Sequence, residues 1–146
     1  MFFTRREQRI SRILIVEDEP LIAFDNEHAL QQAGYTVVAT VDRFREADAV
    51  ISAGNDVDLI IADIRLNGVR SGIELARHAE ALGIAVLFST ASLPDEARDT
   101  DIALGALTKP FQPRDLIRAI RACEMVLAGR TPRRLPAGLT LFPRAA

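Results

Sequence analysis

Long hydrophobic runs, cysteine pairs and an excess of positive charge are all missing from these 146 residues. No apolar stretch approaches the roughly 20 residues that a bilayer-spanning helix needs, so no membrane insertion is expected. The lone cysteine, Cys123, has no partner for an internal disulfide. That usage fits a reducing compartment, with cytoplasm as the expected location. The start, Met1-Phe2-Phe3-Thr4-Arg5-Arg6, carries no long apolar segment behind its arginines and does not read as a secretory signal. With 18 Lys and Arg against 20 Asp and Glu, the net charge is −2. There is no global basic field, and no nucleic-acid partner is expected. What remains is an ordinary globular balance, 49% apolar and 26% charged, in a length that suits one domain with a substantial core.

The apolar runs alternate with segments of helical period, which is the βαβ signature of a parallel sheet. Arg12 to Val16, Tyr35 to Val41, Val57 to Ala62, Ile84 to Phe88 and a short stretch around Ala106 to Thr108 read as strands. The first of them is short, β-branched and unbroken, as a strand buried on both faces should be. Pro20 suits the first turn of a helix that Gly34 ends. Further helices are expected over Arg43 to Ala53 and Ile73 to Leu82, and a last one from Pro113. Between Ala91 and Gly105 the pattern is irregular, because Asp99, Thr100 and Asp101 weaken any helix opened by Pro94. Beyond Gly129 periodicity disappears.

The strand ends carry the chemistry. Glu17-Asp18 follows the first strand, Asp63 the third and Lys109-Pro110 the fifth. Open α/β sheets collect ligands at the carboxyl ends of their strands. Three carboxylates and one ammonium would share that rim. Like charges so crowded repel unless a cation intervenes, which calls for a divalent metal.

Glu17-Asp18, Asp63, Thr90-Ala91 and Lys109-Pro110-Phe111, in this order and each at a strand end, resemble the receiver domain of two-component response regulators over roughly Arg12 to Leu127. The resemblance implies a flavodoxin-like, doubly wound α/β fold with a five-stranded parallel sheet of order 2-1-3-4-5. It implies that Asp63 accepts a phosphoryl group from a sensor histidine kinase or a histidine phosphotransfer protein. Glu17, Asp18, Asp63 and the backbone carbonyl of Arg65 then bind Mg²⁺. Thr90 is the switch hydroxyl, Lys109 contacts the phosphoryl oxygens, and the bond before Pro110 is cis. The residue types suit these roles: a carboxylate can be the nucleophile, and a lysine is a mobile point charge for a group that comes and goes.

Two features depart from the family pattern. Ala106 stands three residues before the lysine, where receivers carry a Tyr or Phe switch. The stretch from Thr90 to Lys109 is also short, so a short or irregular fourth helix is expected. Phe88-Ser89-Thr90 is similar to an alphaproteobacterial stress-signalling subgroup known by a Phe-Ala-Thr-Gly motif, with Ser89 and Ala91 in place of Ala and Gly.

The expected layout is an N-terminal extension over 1–10, the receiver over 11–128, and a flexible Pro- and Arg-containing tail over 129–146. The expected function is a stand-alone, phosphorylatable signalling protein with no output domain, acting on a downstream protein partner. It is not expected to be an enzyme beyond self-limited phosphorylation and dephosphorylation. A metal-dependent phosphohydrolase is the first alternative, disfavoured because Arg65 stands where such enzymes place a second acid. The second is a pseudo-receiver that binds partners without being phosphorylated. His28 and His78 read as surface residues, and Cys123 as packing.

Overall fold

The computed structural model describes residues 9–69, 71–98 and 101–143. Five strands run parallel: β1 (Arg12–Val16), β2 (Thr36–Val41), β3 (Leu59–Asp63), β4 (Ala85–Thr90) and β5 (Gly105–Thr108). Helices α1 (Pro20–Gln32), α2 (Phe44–Ser52), α3 (Ser71–Ala81) and α4 (Pro113–Leu127) connect or follow them. The sheet order is β2-β1-β3-β4-β5-β6, with β6 (Leu139–Leu141) antiparallel to β5. Order 2-1-3-4-5 is therefore present, extended by one strand.

Period-two alternation divides each central strand between two cores. Leu14, Val16, Ile60, Ala62, Val86 and Phe88 face one core, which α2 closes with Ala47 and Ile51 and α3 with Leu75, Ala76 and Ala79. Ile13, Ile15, Leu59, Ile61 and Leu87 face the other, closed by Leu30 of α1 and by Leu116, Ala119, Ile120 and Cys123 of α4. Burial on both faces is why these strands read as continuous apolar runs. The chain leaves β1 for β2 on one side and returns to β3 on the other. The carboxyl ends of β1 and β3 thus lie side by side at the switch point, with Val16 paired to Ala62.

Gly72 shapes that end of the sheet. A Cβ on it would collide with the backbone oxygen of Asp63, so α3 approaches the end of β3 only because this residue lacks a side chain. The start of α4 is fixed differently: the Gln112 backbone N–H donates to Asp115 Oδ2 at 3.1 Å.

Of residues 129–146, expected to be a flexible tail, the described part, 129–143, supplies the sixth strand. Leu139, Thr140 and Leu141 pair with Leu107, Ala106 and Gly105. Two further backbone bonds flank the pairing: Thr108 N–H donates to Gly138 O at 3.0 Å and Phe142 N–H to Leu104 O at 2.9 Å. Phe142 is only 4% exposed. Three residues are too few to show a side-chain periodicity. Gly105 makes it sterically feasible, since a Cβ there would collide with Thr140 O.

Between β4 and β5 the described residues of the connection contain a 3-10 turn, Asp95–Arg98, where a short or irregular fourth helix is expected. Of the expected N-terminal extension, residues 1–8 lie outside the described residues. Ile10 is buried, and its N–H donates to Glu124 Oε2 at 2.9 Å. No described helix is long and apolar enough to cross a membrane.

Candidate functional site

The rim is assembled from the ends of β1, β3, β4 and β5. Glu17 extends the β1–β2 pairing by one bond, its N–H donating to Val41 O at 2.9 Å, and it is buried. Its Oε2 accepts the Glu19 N–H at 3.1 Å, which fixes the carboxylate head. Asp18 points into the loop after β3, where its Oδ2 accepts the Asn67 N–H at 2.7 Å. Asp63 is the last residue of β3 and is 7% exposed. Its Oδ1 accepts the Arg65 N–H at 3.1 Å, and its Oδ2 accepts from Lys109 Nζ at 3.0 Å.

Lys109 is the hub. Besides Asp63, its Nζ lies 2.7 Å from Glu17 Oε1 and 3.1 Å from Glu19 Oε2. Burial alone would push the ammonium pKa down, but the carboxylates of Glu17 and Asp63 together outweigh it and hold the charge above its ordinary range. Burial also lifts the Glu17 carboxyl to about 7, although Lys109 pulls it back. Lys109 is positioned by its own main chain: its N–H donates to Thr90 O at 2.8 Å, and the Lys109–Pro110 peptide is cis.

Thr90 ends β4 and is buried. Its Oγ1 donates to Ser92 O at 2.7 Å, so the hydroxyl is engaged by its own loop. Arg65 is exposed, with Nη1 donating to Gly68 O at 3.4 Å. The neighbouring Ser89 hydroxyl is buried without a hydrogen-bond partner among the described residues.

Glu17, Asp18, Glu19 and Asp63 each bring one carboxylate oxygen within 4.8 Å of the others. Four carboxyls thus face one ammonium, an excess of negative charge that favours a cation. The donors are hard oxygens on a partly open rim, which fits Mg²⁺, an ion that keeps several waters. A cleft of about 440 Å³ opens onto them, lined by Asp18, Asp63, Arg65, Thr90 and Lys109 among others.

Glu17, Asp18, Asp63, Thr90 and Lys109 therefore meet at one rim. Sequence reasoning passed over Glu19 and Asn67. The signal for Glu19 was the third acid of an unbroken acidic triplet before Pro20. For Asn67 it was Asn before Gly68, a pair suited to left-handed backbone; Asn67 has φ +54° and its Nδ2 reaches Asp42 O at 3.3 Å.

A doubly wound sheet with acids and one lysine gathered at its switch point places a cation-binding, nucleophile-bearing rim where such sheets collect their ligands. A model of the response regulator receiver domain matches residues 13–121, and the chain belongs to that family. Receiver domains belong to two-component systems, accept phosphoryl groups on aspartate and generally bind Mg²⁺ at an acidic pocket. The phosphate regulon transcriptional regulatory protein PhoB of Pseudomonas aeruginosa is 36% identical over 117 residues, covering 75% of this chain and 50% of that protein. The phyllosphere-induced regulator PhyR of Methylorubrum extorquens is 33% identical over 113 residues, covering 75% and 42%. The chain thus spans about half the length of these relatives. A CheY-like receiver domain protein from Methanospirillum hungatei superposes with TM-score 0.73 at 27% identity, covering 83% of this chain and 98% of that one.

Proposed function

We propose that Asp63 is the phosphoacceptor and that the protein relays a signal from a histidine kinase or a histidine phosphotransfer protein. The observation that carries the reading is the placement of the Asp63 carboxylate: buried, at the mouth of the cleft, with Oδ2 3.0 Å from Lys109 Nζ. In the transfer, a carboxylate oxygen of Asp63 forms the new O–P bond as the P–N bond to the donor's imidazole breaks. Lys109 neutralises charge on the phosphoryl oxygens. Glu17, Asp18 and Asp63 with the Arg65 carbonyl would hold Mg²⁺, which offsets charge on the group in flight; Glu19 joins that acidic set. For Thr90 to donate to a phosphoryl oxygen, its hydroxyl must give up Ser92 O, which makes the loop after β4 the two-state element.

The signal then leaves through contacts with a downstream protein, and a protein made of this receiver alone has no other output. The relatives named above are regulators about twice as long as these 146 residues.

Incubation with acetyl phosphate and Mg²⁺ should add about 80 Da, the mass of one phosphoryl group. Asp63→Asn should abolish the adduct. Equal uptake by that variant would overturn the assignment. Steady turnover of a phosphate ester, in place of one self-limited event, would instead favour a phosphohydrolase, which the absence of an acid at Arg65 argues against.

A further inference from the structure

A second cleft, of about 960 Å³, lies between α4 and the segment that returns from its end towards β6. Five arginines line it: Arg118 and Arg121 from the helix, Arg130, Arg133 and Arg134 from the segment. No Asp or Glu is among its described lining residues. Glu124, beside Met125 on the helix, is turned to Ile10, whose N–H it accepts. The Arg121 guanidinium lies close enough to the Tyr35 hydroxyl to act on it electrostatically. Among the described residues, Arg118, Arg130, Arg133 and Arg134 form no salt bridge. A chain of net charge −2 thus places five of its 18 basic residues in one concavity, where their fields add.

Apolar groups share the lining. Met125, Leu135 and Pro132 sit among the guanidiniums, and Leu135 is 43% exposed. We infer that this cleft docks an acidic, leucine-bearing segment of a protein partner. Guanidinium forks bind carboxylates in bidentate fashion, and the apolar residues give the segment's own aliphatic side chains a place to bury. Single-stranded nucleic acid fits less well, because the described lining residues include no aromatic on which a base could stack. A duplex needs a larger basic footprint, and a flat bilayer does not enter a concavity. None of these residues lines the cleft at Asp63, so the inference does not depend on phosphorylation.

The test is fluorescence anisotropy with the whole, unphosphorylated protein. The titrated species are a labelled glutamate–leucine peptide, the same peptide with glutamine for glutamate, a short duplex DNA and phosphatidylglycerol vesicles. The acidic peptide should bind, rising salt should weaken it, and the glutamine peptide should lose about tenfold or more in affinity. Arg133→Glu combined with Arg134→Glu should weaken the acidic peptide by about tenfold or more, as arginine anchors do. Both residues are exposed, so the urea midpoint should not move; Arg118→Glu, on the helix, gives an independent second variant. No binding of the acidic peptide, binding unchanged by both variants, or tighter binding of DNA or vesicles would each overturn the inference.

Discussion

Phe142→Ala should cost about 4 kcal/mol of folding stability. The residue lies beyond the end of the periodic sequence, yet it is 4% exposed and belongs to the core that includes Phe88, Ala97, Ile102, Ala103 and Ala106. A buried phenylalanine removes about 150–250 Å² from water. At about 25 cal/mol per Å² that amounts to roughly 4–6 kcal/mol. A partly compact unfolded chain lowers this figure, and measured Phe→Ala changes in cores fall at about 3–5 kcal/mol. For a domain stable by about 5–15 kcal/mol the loss is large. Urea unfolding followed by far-UV circular dichroism measures it, with Leu135→Ala, at an exposed position, as a control expected to cost about 0.5 kcal/mol or less. Gly105→Ala attacks the same feature from the other side, because its new Cβ would meet Thr140 O. Since both changes release one segment, their costs should combine to well under the sum. A Phe142→Ala loss below about 1 kcal/mol, or full additivity with Gly105→Ala, would refute the view that β6 and Phe142 are part of the core.

Three further outcomes are expected. Thr90→Ala should leave phosphoryl uptake on Asp63 intact but remove the phosphorylation-dependent chemical shifts of the loop after β4 in NMR spectra; Ser89→Ala, which deletes a buried hydroxyl without a partner, should preserve those shifts and raise or leave unchanged the urea midpoint. Asp18→Asn should weaken Mg²⁺ binding in calorimetry by about tenfold or more, whereas Glu19→Gln should change it by about threefold or less, because the Glu19 side chain is 60% exposed. Burial pushes the Cys123 thiol up to about 12 from an ordinary 9.0. Below pH 9 the thiol is protonated whether the chain is folded or unfolded, so it adds no pH dependence there. Above that the unfolded chain releases the proton and the folded one keeps it, so stability falls as pH rises from about 9 to 12, and Cys123→Ala should flatten that fall. At neutral pH a thiol reagent should label Cys123 only on unfolding.

How far these features could be read in advance follows from which physical signal each one leaves. β1, β3 and β4 are buried on both faces, so each is a run such as Leu59-Ile60-Ile61-Ala62 whose end is marked by a polar residue. Because the sheet is parallel, marking the strand ends also marks the site, and Asp18, Asp63, Thr90 and Lys109 were legible for that reason. Glu19 was not, since a side chain 60% exposed at a helix start reads as solvated, and only the three-dimensional position of Lys109 Nζ draws it in. The sixth strand left no signal because it has only three residues, and the buried side chains it brings, Leu139 and the following Phe142, are isolated in sequence from every periodic segment.

The same strand bears on how this receiver is built. Ala106, at the position where the family resemblance expects an aromatic, is fully buried and pairs directly with Thr140, two residues before Phe142. Phe142 thus brings an aromatic ring into the core that Ala106 faces, from a different stretch of chain. Its strand is tied through Gly138 to Thr108, the residue next to Lys109 and the register partner of Thr90. A change at the cleft lined by Asp63 and a change in β6 therefore share one short segment of β5. Loss of β6 should be felt at Lys109 as well as in global stability.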